Sequence, residues 1–183
     1  MQSLITSLLN YSRMNTEEIV FVETDLNAML EDVKNNLGEM FEETHAVVES
    51  SHLPALKVIP QQINQLFTNI ISNAIKYQKP GIAPSIQIST ELMHTNKVPF
   101  RSRYMHEKYL RIKICDNGIG FAQEHAERIF ELFQRLHGNA EYTGTGIGLA
   151  ICKKIVQNHG GIITAEGIPD TGAAFNIYLP VRE

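Results

Sequence analysis

The chain has no tryptophan and only two cysteines among 183 residues. It is therefore poor in the residue that marks disulfide-bonded folds and many zinc-binding folds. Cys115 and Cys152 stand far apart and in no Cys-x-x-Cys motif, which excludes a disulfide scaffold and a cysteine-based zinc site. We expect both to be buried thiols. The 16 Lys and Arg are outnumbered by 20 Asp and Glu, giving a formal net charge of −4. A protein whose main task is to bind nucleic acid is therefore not expected.

Long apolar runs are missing as well. The longest uncharged stretch extends from Val58 to Ile75, but Pro60 and several glutamines and asparagines interrupt it, so it is not expected to span a membrane. The N-terminus has neither a basic region nor a small-residue cleavage site, and no signal peptide is predicted. The hydrophobic content of 43% suits a folded domain, and we expect a cytoplasmic chain that makes no membrane contact.

Hydrophobic periodicity predicts a mixture of helices and strands. Apolar residues at helical spacing predict helices in residues 26–37, in the segment that opens at Pro60 and is ended by Lys79-Pro80-Gly81, and in residues 147–158. Alternating, β-branched or aromatic runs predict strands in residues 19–23, 45–49, 55–59, 85–92, 109–115, 162–166 and 173–179. This order lacks the regular βαβ rhythm of a doubly wound sheet. We therefore expect one sheet with helices on one of its faces.

A polar helix face offers the first candidate chemistry. Asn69 and Asn73 lie one turn apart on the helix predicted to open at Pro60, and Lys76 and Tyr77 follow one turn later. An amide oxygen is a neutral, hard ligand that suits Mg²⁺, which also binds nucleotide phosphates. A solvated helix face is the alternative that asparagines alone would favour.

Two glycine-rich segments offer a second kind of chemistry. Asp116-Asn117-Gly118-Ile119-Gly120 follows a predicted strand, where a carboxylate can accept a hydrogen bond from an exocyclic amine and the glycines allow a flat ring to approach; alone, it is more often a plain turn. The segment from Gly144 to Leu149, Gly-Thr-Gly-Ile-Gly-Leu, leads into a predicted helix, where backbone amides can bind phosphate. It matches neither a P-loop nor a dinucleotide fingerprint, since no Gly-Lys-Ser/Thr follows and Leu149 replaces the third glycine.

The order of these segments resembles that of sensor histidine kinases. The asparagine helix, the Asp-Asn-Gly-Ile-Gly segment, the segment from Ile129 to Arg135 and the Gly-Thr-Gly-Ile-Gly-Leu segment match the family's N box, first glycine box, F box and second glycine box. The resemblance implies the Bergerat fold shared with DNA gyrase, the MutL ATPases and the large heat-shock chaperone. This is an α+β, two-layer α/β sandwich whose mixed, mainly antiparallel sheet carries helices on one face.

The resemblance also implies a division of the chain. Apolar residues at helical spacing between Leu4 and Met14 form a stripe too short to be stable alone in water. They look like the end of the dimerisation helix that precedes the catalytic domain in this family. We therefore expect residues 1–16 to be the end of that helix and a linker, and residues 17–183 to be the catalytic ATP-binding domain.

Roles for individual residues follow from the same resemblance. Asp116 would bind the adenine amine of ATP, Asn73 would hold Mg²⁺, and Asn69 would lie near the phosphates. An asparagine cannot take a proton from water, so Asn69 favours phosphoryl transfer to a protein side chain over hydrolysis. The remaining ATP contacts would come from Lys76, Tyr77, Gly118, Gly120, Phe133, Arg135, Gly144, Thr145, Gly146, Ile147, Gly148 and Leu149. Phe130 and Phe133 would also anchor the segment that covers ATP, although such a pair is more often ordinary core.

The family's acceptor histidine is not recognisable in this sequence. It belongs to a His-Glu-Leu-Arg-x-Pro-like helix, and the nearest imitation, from His106 to Arg111, lacks the proline and leads into a predicted strand. We therefore expect a domain that transfers the γ-phosphoryl group of ATP to a histidine on the dimerisation helices of a homodimeric kinase, in the cytoplasm or in the cytoplasmic part of a membrane-bound sensor. A response regulator receiver domain would be the further partner.

Two alternatives remain open at this point. The chain could be a catalytically silent nucleotide-binding or docking module whose long basic loop, residues 93–108, contacts a partner. It could also be an anti-sigma-type serine kinase, which uses the same fold.

Overall fold

The computed structural model describes residues 20–99, 107–136 and 145–182. The strands in these ranges are β1 Val22–Asp25, β2 Val47–Ser50, β3 Ala55–Val58, β4 Ser85–His94, β5 Lys108–Asp116, β6 Ile162–Ile168 and β7 Gly172–Pro180. The α-helices are α1 Leu26–Asn36, α2 Gly38–Thr44, α3 Pro60–Lys76 and α4 Gly148–Asn158. The expected appendage, residues 1–16, lies outside the described residues, so the proposed division of the chain stays a prediction.

The strands form a mixed, mainly antiparallel sheet. Five strands are ordered β2-β4-β5-β7-β6, and only the β2–β4 pair among them is parallel. A separate antiparallel pair, β1 with β3, brings Val22 opposite Val58. The β2–β4 pair is parallel because α3 and β3 intervene between the two strands, and such a crossover is what parallel pairing requires. The expected sheet type is confirmed.

Helices α1, α3 and α4 cover one face of this sheet. Every second residue of the central strands points towards them, and the resulting core includes Ile112, Ile114, Phe175 and Ile177 from the sheet. From α3, the predicted apolar stripe is confirmed, since these four side chains are at most 3% exposed: Ile63, Phe67, Ile70 and Ala74. Burial of this shared apolar surface is the main force that holds the two layers together.

Local signals place the helix starts where the sequence indicates. Asp25 is the N-cap of α1, and its Oδ1 accepts hydrogen bonds from the amides of Asn27 at 2.8 Å and Ala28 at 3.3 Å. Pro60 occupies the first turn of α3, where its missing N–H costs nothing. Helix α2 was not predicted, because none of its residues is buried and no apolar stripe marks it.

The opposite face of the sheet carries a small apolar cluster of its own. Tyr109 and Tyr178 are 0% and 5% exposed there, and Val98 from the long β4–β5 connection packs on them. Cys115 is only partly buried, contrary to expectation, whereas Cys152 is fully buried in the core and burial raises the pKa of its thiol to about 12. In the described ranges, every helix is too short or too polar to cross a bilayer.

Candidate functional site

A cleft with about 650 Å³ of empty space, open to solvent, lies between α3, the end of β5 and the start of α4. Five residues singled out from the sequence line it: Asn73, Tyr77, Asp116, Gly120 and Leu149. Most of the remaining lining is apolar, from Ala74, Ile119, Phe121, Ile129, Leu136, Ala173 and Phe175, with Gln134 as a polar exception. Apolar walls with a few polar groups suit a flat heterocyclic ring.

Asp116, the last residue of β5, contributes a carboxylate to this lining. Its Oδ1 accepts hydrogen bonds from the amides of Gly118 at 2.9 Å and Ala173 at 3.2 Å. Both donors bond to the same oxygen, so the other carboxylate oxygen is the one available to a ligand. Burial raises the pKa of Asp116, while the two amides and the charge of Lys79 act in the opposite direction. A partly dehydrated carboxylate of this kind is a strong acceptor for a ligand amine.

The segment after Asp116 is held from two sides and is more than a plain turn. Asn117 accepts a hydrogen bond from the Ser85 amide at 2.8 Å and donates one to the Ala83 carbonyl at 3.1 Å. The Ile119 amide donates to the carbonyl of Tyr77 at 2.9 Å, which ties the segment to the end of α3. These bonds fix the direction of the Asp116 side chain.

The two glycines of this segment are required by the protein's own packing. A Cβ at Gly118 would lie 2.5 Å from the Tyr77 carbonyl oxygen. Gly120 has φ +62°, and a Cβ there would lie 2.0 Å from the Ile168 carbonyl oxygen. Gly120 lines the cleft and Gly118 does not. The structure thus brings Gly120 to the cleft and not Gly118, and the roles expected of both glycines in binding a ring stay predictions.

The asparagines of α3 occupy different surroundings. Asn73 lines the cleft, whereas Asn69 donates from Nδ2 to the carbonyl oxygen of Gly148 at 3.3 Å and so joins α3 to the first residue of α4. One turn beyond Asn73, Lys76 Nζ donates to the Tyr77 hydroxyl at 3.2 Å and lies 4.6 Å from the centre of its ring. Lys76 itself is not part of the lining.

The donor set suits Mg²⁺ held jointly with phosphates. Within the described residues, no group of three His, Cys, Asp or Glu side chains could hold a metal by itself. The amide oxygen of Asn73 is a neutral oxygen in the lining that could bind a metal, and Mg²⁺ commonly takes one or two protein ligands, completing its shell with water and phosphate oxygens. The site therefore fits a metal that arrives with a nucleotide.

The start of α4 offers backbone amides to an anion. Ile147 is at the N-cap, where its aliphatic side chain cannot bond the first-turn amides, and Gly146 before it has φ +68°. A Cβ at Gly148 would meet nothing closer than Asn69 at 3.8 Å, so the packing of the protein does not require a glycine at this position. Ile147 is 0% exposed and Thr145 and Gly146 lie outside the lining, so the side chain of Ile147 is core. Gly144 lies outside the described residues.

The segment from 128 to 136 corrects one expectation. Phe130 is buried and packs edge-on against Phe175, with ring centres 6.4 Å apart. Phe133 is 56% exposed and has φ +64°; its amide donates to the Gly146 carbonyl at 2.9 Å. Phe130 therefore anchors this segment by its side chain, and Phe133 does so only through its backbone. Gln134 and Leu136 line the cleft, while Arg135 between them does not.

Several lining residues were not predicted from the sequence. They are mainly apolar, and three of them, Ile129, Ala173 and Phe175, follow the same alternation or spacing that marks the core. A pattern of burial cannot separate a residue that faces a ligand from one that faces another side chain. Gln134 had a signal, since it lies within the segment that resembles the F box.

The comparisons with known proteins agree with this geometry. The family model described as "Histidine kinase-, DNA gyrase B-, and HSP90-like ATPase" matches residues 59–183. Cyanobacterial phytochrome A of Nostoc sp. is 39% identical over 181 residues, covering 99% of this chain and 22% of the relative. Adaptive-response sensory kinase SasA of Rippkaea orientalis is 31% identical over 188 residues, covering 99% of this chain and 44% of the relative. The chain thus spans less than half the length of these relatives.

Solved structures share the fold. The catalytic domain of histidine kinase ThkA, in a nucleotide-free form, superposes with a TM-score of 0.67 and 26% identity, covering 88% of this chain and 95% of that one. Full-length ShkA in complex with AMPPNP superposes with a TM-score of 0.76 and 22% identity, covering 98% of this chain and 35% of that one.

Proposed function

Because the chain belongs to the family of histidine kinase-, DNA gyrase B- and HSP90-like ATPases, we propose that its cleft binds ATP together with Mg²⁺. The observation that carries this proposal is Asp116, whose Oδ1 is taken by two backbone amides while its other oxygen is available beside apolar walls. That oxygen would accept a hydrogen bond from the adenine amine. The AMPPNP bound by ShkA, a protein of the same fold, has the same adenine and supports this assignment.

The polar residues of α3 and the start of α4 would hold the rest of the nucleotide. Asn73 would provide the oxygen ligand for Mg²⁺, and bound Mg²⁺ would supply neutralisation of the phosphate charge. The first-turn amides of α4, to which the N-cap side chain makes no hydrogen bond, would bind phosphate oxygens, with Thr145, Gly146 and Gly148 forming that turn. Lys76, Tyr77 and Arg135 would contact ribose or phosphates once a nucleotide is present, and Phe133 would pack over it.

We further propose that the bound γ-phosphoryl group is transferred to a histidine that comes from outside the cleft. Asn69 cannot serve as a base for water, since an amide does not take up a proton at neutral pH. The lining within the described residues contains no histidine. The longer relatives leave room for an acceptor elsewhere, as the chain covers 22% and 44% of two of them.

The resemblance to sensor histidine kinases supports a more specific setting. The acceptor would lie on the dimerisation helices of a homodimer, and a response regulator receiver domain would take the phosphoryl group next. The cytoplasm is the compartment that supplies ATP at the concentration such a kinase needs. Residues 1–16 would be the end of the dimerisation helix and the linker to the domain.

A transfer assay tests the proposed function. The chain is incubated with γ-labelled ATP and Mg²⁺, alone and with a separately supplied histidine-bearing helical hairpin of a related kinase. We expect slow, acid-labile and base-stable labelling of the hairpin and none of the chain itself, because transfer needs an acceptor nitrogen in line with the phosphate. Label on the chain alone that disappears in His106→Gln would contradict an external acceptor. Release of labelled free phosphate at the same rate with and without the hairpin, with no labelled protein, would favour ATP hydrolysis over phosphoryl transfer.

A further inference from the structure

The two helices beside the cleft, α3 and α4, are joined by side-chain contacts along their whole interface. The helices run in opposite directions, so residues nearer the start of α3 contact residues nearer the end of α4. The four pairs, in order away from the cleft, are Asn69 with Gly148 at 3.3 Å, Leu66 with Cys152 at 4.0 Å, Gln62 with Asn158 at 3.3 Å and Ile59 with His159 at 3.0 Å. The first pair contains a proposed ATP-site asparagine, and the last lies at the far end of the interface.

His159 makes the last contact with an imidazole that is nearly inaccessible to water. Its Nε2 accepts a hydrogen bond from the Ile59 amide, and its Nδ1 donates to the Ile155 carbonyl at 2.8 Å, so the ring is neutral with its proton on Nδ1. The residue is 1% exposed. Phe21 packs edge-on against the ring, and Arg182 stacks on Phe21 and donates to the His159 carbonyl at 2.9 Å.

The Ile59 amide is an unusual partner for a side chain of another helix. Ile59 is the N-cap of α3, and its N–H has no acceptor within that helix. Pro60, the next residue, has no N–H at all. The imidazole therefore holds the first turn of α3 by accepting from the Ile59 N–H, a buried donor that would otherwise be unpaired. Loss of such a bond costs stability.

We propose that His159 is a positioning residue for the nucleotide site, which holds the start of α3 against the end of α4 and so sets where Asn69 and Asn73 stand. The inference rests on the proposed ATP-binding function. Asn69 is ten residues beyond Ile59, about 15 Å along the helix, and α3 is one continuous helix of 17 residues from Pro60 to Lys76. A shift of α3 along α4 at one end therefore displaces both asparagines at the other.

The protonation state of His159 matters for this role. A second proton would turn Nε2 into a donor that faces the Ile59 donor, and the contact would be lost. Burial lowers the pKa of His159, and the positive charge of Arg182 lowers it further. The other groups against the ring are the Ile59 amide, the Ile155 carbonyl and the Phe21 ring, none of which titrates. The stabilising effect of the neutral His159 imidazole is therefore complete above the ordinary histidine pKa of 6.5. It is lost as the pH falls through the lowered pKa.

Two amide substitutions separate the two bonds of the imidazole. In His159→Gln the amide oxygen reaches the position of Nε2 and can accept from Ile59, but the bond to Ile155 is lost. In His159→Asn the shorter amide reaches only the position of Nδ1, so it keeps the bond to Ile155 and loses that to Ile59. Both variants remove the titrating group. The exposed Gln157, in the same last turn, provides the control Gln157→Ala.

The test compares Mg-ADP affinity by calorimetry at pH 7.5, well below the unfolding temperature of every variant. We expect the Mg-ADP affinity of His159→Gln and Gln157→Ala to stay within about threefold of wild type. That of His159→Asn should fall about tenfold, because displaced asparagines bind the nucleotide and its metal less favourably. As the pH is lowered from 7.5 through the lowered pKa of His159, wild-type affinity should fall more than that of His159→Gln. Equal losses in the Gln and Asn variants, or full affinity in the Asn variant, would overturn the proposal.

A second readout keeps this inference separate from the proposed function. The side-chain amide signals of Asn69, followed by NMR without nucleotide, should shift in His159→Asn and stay unchanged in His159→Gln. Failure of the wild type to bind Mg-ADP would refute the ATP site, whereas the NMR signals of Asn69 would still test the positioning role independently. Unchanged Asn69 signals in His159→Asn would overturn the positioning role.

Discussion

At the scale of single residues, Asp116 combines a structural and a proposed ligand-binding task. Its Oδ1 bonds two amides and holds β7 beside the end of β5, while burial raises the pKa of its carboxyl group. A folded protein that retains a partly buried charge at such a point gives up some stability. Residues of this kind are typical of functional sites, where stability and activity make opposite demands.

The substitution Asp116→Asn separates these tasks. The amide oxygen can keep both backbone bonds, but the charge is removed and an NH₂ donor replaces the oxygen proposed for the adenine amine. We expect affinity for ATP and ADP to fall about tenfold or more, since hydrogen bonds to charged groups contribute roughly 1.5–3 kcal/mol. Thermal unfolding at pH 7.5 should show equal or higher stability than wild type. Undiminished affinity in calorimetry would refute the adenine assignment.

Asn73 is tested by the metal dependence of binding. Asn73→Ala removes the proposed oxygen ligand without touching the apolar walls, so Mg²⁺ should no longer increase ADP affinity, whereas metal-free binding should persist. Asn64→Ala, on the same helix but outside the cleft lining, is the matched control and should keep the Mg²⁺ effect. Calorimetry with and without chelator measures both. If the Mg²⁺ effect survives in Asn73→Ala, another residue holds the metal.

At the scale of elements, helices with one strongly apolar face could be predicted from the sequence. The stripe of α3 was recognisable because burial against the sheet repeats every three or four residues, and Pro60 marked its start. Helix α2 escaped prediction because it buries no side chain and has no such repeat. Three strand starts, those of β3, β4 and β6, were predicted correctly, and the others were off by one to three residues, most at β1, since ladder bonds and not propensity decide where a strand begins.

The candidate site divides in the same way. Asp116 and Asn73 could be predicted because their chemistry is visible in the residue type and its neighbours. The pairing of Asn69 with Gly148 could not, since it depends on how α3 and α4 pack across 79 residues of sequence. The exposed side chain of Phe133 was also unpredictable, because its left-handed backbone follows from the bond to Gly146.

Two glycines beside the proposed site, Gly120 in the loop after β5 and Gly148 at the start of α4, should respond differently to alanine. Gly120→Ala forces a side chain into the left-handed region and against the Ile168 carbonyl, so we expect a loss above about 2 kcal/mol. Gly148→Ala meets only ordinary contact with Asn69 at the start of α4, so stability should be unchanged or higher by up to about 1 kcal/mol. Chemical denaturation compares the two. Equal losses would mean that the packing around Gly120 is not what requires glycine.

At the scale of the whole molecule, nucleotide binding should stabilise the sandwich, because the cleft is built from α3, β5, β7 and the start of α4 together. Ligand at a hundred times its Kd adds about 2.7 kcal/mol, which for a domain of this size raises Tm by roughly 5–11 °C. Mg-ATP should give this shift. Mg-GTP should give much less, since guanine carries a carbonyl where adenine carries its amine. Equal shifts would indicate a site that does not distinguish the bases.

The central claim is that Asp116 recognises the exocyclic amine of adenine in this cleft, and removal of that amine tests it most directly. Calorimetry compares ADP with the diphosphate of purine riboside, which has hydrogen in place of the amine, on wild type and on Asp116→Asn. We expect wild type to prefer ADP by about tenfold or more, and Asp116→Asn to bind the two ligands with nearly equal affinity. Wild-type protein that binds both ligands equally, or an Asn variant that keeps the preference for ADP, would contradict the claim.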